Sequence, residues 1–128
     1  MDTRALITHI EPLPVGDGDL YREPYRLLKY QKQFLRGTFK PGIMRAGFTL
    51  GRGGGKTGLA STLALSALLP DSPLHRPGFE TAVIASSFVQ AVIYGQAVKT
   101  SLELMGKSLG THGDFRVLDS QNTFELVN

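Results

Sequence analysis

The run Leu50-Gly51-Arg52-Gly53-Gly54-Gly55-Lys56-Thr57 constrains this chain more than any other segment. An apolar, strand-like stretch, Ile43 to Leu50, leads into it, and a helix-like stretch, Gly58 to Leu69, follows directly. Strand, glycine loop ending in Gly-Lys-Thr, then helix is the context that a phosphate-binding P-loop requires. Glycines without a Cβ let the backbone bend so that several N–H groups face one anion. The helix behind them adds its unpaired first-turn N–H groups and the positive end of its dipole. In such a loop Gly51, Gly53, Gly54, Gly55 and Gly58 line the phosphates. Lys56 reaches the β- and γ-phosphates of ATP, and the Thr57 hydroxyl ligates Mg²⁺. The alternative is a glycine-rich turn with a chance Gly-Lys-Thr, followed by an unrelated helix.

The spacing departs from the usual pattern. The first glycine belongs at position 50, which is Leu50, and Gly51 comes one residue late. Arg52 then stands four residues before Lys56. A second Gly-Lys-Ser, Gly106-Lys107-Ser108, closes a helical segment instead of opening one, and Ser101 stands where its first glycine belongs. Gly106 reads there as a helix C-cap, with Lys107 near the negative end of the dipole.

The charge distribution points the same way as the loop. Residues 21–57 carry nine basic side chains (Arg22, Arg26, Lys29, Lys32, Arg36, Lys40, Arg45, Arg52, Lys56) against one acidic, Glu23, in a chain whose net charge is only +3. Such a block favours a polyanionic partner, nucleotide phosphates or nucleic acid; the alternative, a solvated helix face with ordinary lysines, stays open for most of these residues. At 128 residues the chain makes one domain at most. No apolar run is long enough to span a bilayer, and the start shows no signal peptide. With no cysteine, disulfides and thiolate metal sites are excluded. His9, His75 and His112 are read as exposed loop histidines, not a metal site.

Along the chain, residues 1–20, with Pro12, Pro14, Gly16 and Gly18, read as an irregular lead-in, and residues 21–128 as the domain proper. Tyr25 to Phe39 reads as one or two short helices. The helix Gly58 to Leu69 is apolar almost all round and is expected to be buried. Thr81 to Ala85 reads as a buried parallel strand, and Ser87 as the N-cap of a helix running to Met105, with Gln90 completing a capping box. Phe115 to Leu118 and Thr123 to Val127 read as a hairpin. The order strand, P-loop, helix, strand, helix predicts an α/β P-loop NTPase fold: a partial doubly wound parallel sheet with flanking helices and a C-terminal β-hairpin.

With these segments placed, the chain resembles the large terminase subunit of tailed double-stranded-DNA bacteriophages. Tyr30-Gln31-Lys32-Gln33-Phe34-Leu35 looks like that family's aromatic-glutamine segment upstream of the P-loop. Gly51-Arg52-Gly53-Gly54-Gly55-Lys56-Thr57 is similar to its deviant Walker A, with Arg four residues before Lys. Thr81 to Ser87, followed by Gln90-Ala91, looks like its strand ending in small polar residues. The resemblance covers roughly residues 25 to 128.

It implies the N-terminal portion of a packaging ATPase, which binds ATP and Mg²⁺ and, when complete, couples hydrolysis to translocation of double-stranded DNA into the procapsid. Gln31 would contact adenine, with Tyr30 beside it in the cofactor-binding set, although packing suits Tyr30 better than stacking on the base. A glutamine can offer adenine a donor–acceptor pair; its alternative role is a polar position on an amphipathic helix. Arg52, with Lys56 in the catalytic set, would act as an arginine finger in cis, or serve as a solvent-facing or intersubunit arginine. Implied partners are the small terminase subunit, the portal protein and further copies in a ring; the implied setting is the host cytoplasm, outside the mature virion.

No four-residue apolar run followed by Asp-Glu occurs in the sequence, so the Walker B acids are missing, as are the coupling motif and the nuclease domain. The expectation is a chain truncated before the Walker B strand, which alone lacks full hydrolytic activity. Two rival functions stay open: a helicase-like P-loop ATPase acting on nucleic acid, and a non-catalytic nucleotide- or anion-binding module.

Overall fold

The computed structural model describes residues 2–16, 21–47, 56–78, 80–82, 87–110, 113, 115–118 and 123–126. Among these described residues, four helices, α1 (Thr3–Ile10), α2 (Lys29–Thr38), α3 (Lys56–Leu68) and α4 (Phe88–Leu104), precede two strands, β1 (Phe115–Leu118) and β2 (Thr123–Leu126). Helix α3 is the spine: it packs on α1 and, more extensively, on α4. One apolar cluster gathers Leu6, Ile7 and Ile10 of α1 with Leu27, Leu35 of α2 and Leu59 at the front of α3. A second gathers Leu65 and Leu69 with Leu13, Val98 and Leu102 of α4, and Phe115 of β1. Because apolar residues lie all round α3, it can serve both clusters at once.

Residues 1–20 are not simply an irregular lead-in. Asp2 caps α1 by accepting the Arg4 N–H (2.9 Å), and Leu6 and Ile10, one turn apart, are completely buried. An eight-residue helix is marginal by itself, so this burial is what stabilises it. After Pro12 the chain runs back along 22–25, with Val15 N–H donating to Glu23 O (2.8 Å) and Tyr25 N–H to Leu13 O (2.7 Å). At Gly16 it presses so closely on α4 that a Cβ would run into the Ala97 carbonyl oxygen. Ser101 Oγ of α4 donates to Pro14 O (3.1 Å) at the same crossing.

Helix α4 begins as its sequence predicts: Ser87 Oγ accepts the Gln90 N–H at 3.2 Å. It ends in a Schellman motif. Gly106 takes φ 75°, its N–H donates to Glu103 O, and Lys107 N–H donates to Leu102 O, both at 3.0 Å. Strands β1 and β2 pair antiparallel, Phe115 opposite Leu126 and Leu118 opposite Thr123.

The expected strand Ile43–Leu50 differs over its described part. Residues 43–47 have no strand pairing and are exposed, Met44 at 95%. A buried parallel strand needs neighbours on both sides to take its N–H and C=O groups, and the sheet among the described residues is the hairpin. Residues 80–82 are likewise exposed and irregular. The rest of both segments, 48–50 and 83–85, lies outside the described residues, so the doubly wound sheet stays a proposal.

Candidate functional site

Helix α3 begins at Lys56, two residues earlier than expected, which puts Lys56 and Thr57 in its first turn. A 13-residue helix presents unpaired N–H groups and a positive dipole end there. Gly51, Arg52, Gly53, Gly54 and Gly55 lie outside the described residues.

Gly58, the third residue of α3, abuts the ring of Tyr25. A Cβ on Gly58 would stand 3.5 Å from Tyr25 Cε2 and 3.6 Å from its hydroxyl. That hydroxyl accepts a hydrogen bond from Gln31 Nε2 at 3.4 Å. Burial pushes the Tyr25 phenol up to about 12; the Gln31 hydrogen bond opposes this, and the nearby Tyr30 adds to it.

Gln31, the third residue of α2, is turned inward. It is 4% exposed, and its Oε1 accepts the Leu28 N–H at 2.8 Å. That is the returning half of a capping box: Leu28, the N-cap, has no side-chain acceptor, so the N3 residue satisfies the orphan N–H from the other direction. With its oxygen on Leu28 and its amide on Tyr25, this glutamine faces the interior. Tyr30, the next residue back, is 37% exposed. The Tyr25–Gly58 contact was invisible in the sequence because nothing local links the two residues.

The positive block is largely solvated. Arg22, Arg26, Lys29, Arg36, Lys40 and Arg45 are exposed, and only Lys32 among the described members pairs with a carboxylate, Glu11 at 3.5 Å.

A second polar constellation was not foreseen. His9 and His75 are not exposed loop histidines. His9 is on α1, with Nδ1 3.1 Å from Ser66 Oγ and Nε2 3.4 Å from Asp71 Oδ1. Ser66 Oγ lies 2.6 Å from Ser72 Oγ, which accepts the Leu74 N–H at 3.1 Å. One set of protons satisfies all four links: Ser72 donates to Ser66, Ser66 to His9 Nδ1, and His9 Nε2–H to Asp71, an assignment made from the network itself. His75 Nδ1 lies 2.9 Å from Ala67 O. His112 is outside the described residues. The order Asp–His–Ser has the connectivity of a hydrolytic triad, but Ser66 is 0% exposed, so no substrate carbonyl reaches it. The network braces α1 and the 69–75 turn against α3.

Among the described residues no three His, Asp or Glu side chains group closely enough to hold a metal ion, and no helix is long and apolar enough to cross a membrane. Comparison of the chain with protein-family models, curated proteins and solved structures finds no match.

Proposed function

We propose that this chain is the ATP-binding part of a P-loop ATPase of the phage large-terminase kind, which in its complete form drives double-stranded DNA into a procapsid. The observation that carries the reading is the junction at Lys56: the glycine-rich run 51–55 ends where a 13-residue helix begins. The N–H groups of that run and of the first turn of α3 would cradle the triphosphate. Lys56 would hold the β- and γ-phosphates, and Arg52 would neutralise charge growing on the γ-phosphate.

A Mg²⁺ ion shared with the phosphates would take one hard oxygen from Thr57 and its remaining ligands from phosphate and water, so no cluster of protein carboxylates is required. When bound, the ion neutralises phosphate charge. The solvated basic block of residues 22–45 fits a polyanionic track such as duplex DNA.

Titrating labelled ATP, with and without Mg²⁺, into the wild type and Lys56→Ala tests the phosphate site. The wild type should bind, more tightly with Mg²⁺, and Lys56→Ala should weaken binding about tenfold or more, the loss of roughly 1.4 kcal/mol. A wild type that does not bind sinks the nucleotide site, and equal binding by both proteins sinks the role of Lys56.

A further inference from the structure

The contacts around Gly58 form a continuous path between two helix N-termini. Leu28 N–H at the start of α2 donates to Gln31 Oε1, Gln31 Nε2 donates to the Tyr25 hydroxyl, and the Tyr25 ring fills the space that Gly58 leaves beside the first turn of α3. Tyr25 is itself pinned, its N–H donating to Leu13 O at 2.7 Å. Gln31 is 4% exposed, so its amide has no open face to offer a planar base. Gly58 directly follows Lys56 and Thr57, and a shift of its Cα displaces both.

We infer that Gln31 and Tyr25 are positioning residues for the triphosphate: they set the pose of the first turn of α3 and do not read the base. This rests on the phosphate-site reading above and deepens it. A base-reading glutamine acts on the nucleobase alone, so its loss spares a ligand that has none. A glutamine that braces the phosphate-holding turn acts on every ligand bearing the triphosphate, whatever is attached to it.

The test compares three ligands, each with Mg²⁺: ATP, GTP and inorganic tripolyphosphate. They are titrated into the wild type, Gln31→Ala and Tyr25→Phe, at a temperature where circular dichroism shows each protein helical. Gln31→Ala should weaken all three ligands by a common factor of about five, the net worth of one hydrogen bond. Tyr25→Phe keeps the ring against Gly58 and removes only the hydroxyl; it should weaken all three in a smaller but again common proportion. General loss of stability does not change affinity in a protein that stays folded, so a parallel loss marks positioning.

The inference is overturned if Gln31→Ala weakens ATP while tripolyphosphate binding is unchanged, because that is the behaviour of a base contact. It is equally overturned if neither variant changes any affinity. If Gln31→Ala loses helix, Tyr25→Phe decides alone, with an unchanged tripolyphosphate affinity as the contradicting result. A wild type that binds none of the three ligands defeats the phosphate site itself, which separates that failure from failure of the brace.

Discussion

Replacing Ser66 with alanine gives opposite signs according to whether the His9–Ser66–Ser72 network is real. Ser66 lies inside α3, completely buried, with Ser72 Oγ at 2.6 Å and His9 Nδ1 at 3.1 Å. Removing its hydroxyl deletes two hydrogen bonds, each worth about 1 kcal/mol net. Ser72, itself 6% exposed, loses its acceptor, whereas His9 retains some access to water, so the His9 share of the loss is the smaller. Alanine gives back about 0.5 kcal/mol through its better helix propensity. The net expectation is a destabilisation of about 1.5 kcal/mol, or roughly 5 °C in Tm for a domain of this size. Urea unfolding followed by far-ultraviolet circular dichroism reads this directly, since most of the signal comes from the four helices. A Ser66→Ala, His9→Ala double-mutant cycle should return a coupling of about 0.5–1 kcal/mol. A helix serine without these bonds behaves in the opposite way: its alanine variant is neutral or more stable. Either of those results refutes the network.

Other expectations follow from single contacts. Gly106→Ala forces a Cβ into a φ of 75° at the end of α4 and should cost about 1 kcal/mol in urea unfolding. Lys107→Ala should leave ATP affinity unchanged, because Gly106-Lys107-Ser108 closes a helix instead of opening one. Tyr25 has a folded pKa of about 12 against an ordinary 10, raised chiefly by burial, so the protonated phenol is the form that folding favours. Its contribution to stability should be full below pH 10 and vanish as pH rises from 10 through about 12. An ultraviolet phenolate titration should show one late tyrosine step, and its persistence in Tyr25→Phe would assign the shift to another residue.

What could be read from the sequence was local. Ser87 three residues before Gln90, and Gly106 at the end of an apolar helical run, are signals carried within one turn, and the backbone uses both as caps. The Gly58–Leu69 helix was visible because its apolar residues recur all round it. Helix α1 was missed because Pro12, Pro14 and Gly16 dominate its neighbourhood, while what stabilises it is the burial of Leu6 and Ile10 against distant segments. The site shows the same division. Lys56 and Thr57 announce themselves by their glycine run. The Tyr25–Gly58 contact joins residues far apart in sequence, and His9 meets Ser66 across 57 positions. The hydrogen bonds of Gln31 were not legible for a physical reason: an amide that can bind adenine's edge can equally cap a helix whose N-cap residue, Leu28, has nothing to cap with.

The central claim is that a triphosphate is held by the glycine run and the first turn of α3. Amide NMR of the isotope-labelled chain, recorded while ATP and Mg²⁺ are added, tests it most directly. The account predicts that the amide signals of Gly51, Gly53, Gly54, Gly55 and Gly58 move together and saturate, while those of Gly106 and Gly110 stay in place. Saturable movement at Gly106, Lys107 and Ser108 with the 51–58 signals unmoved would contradict it.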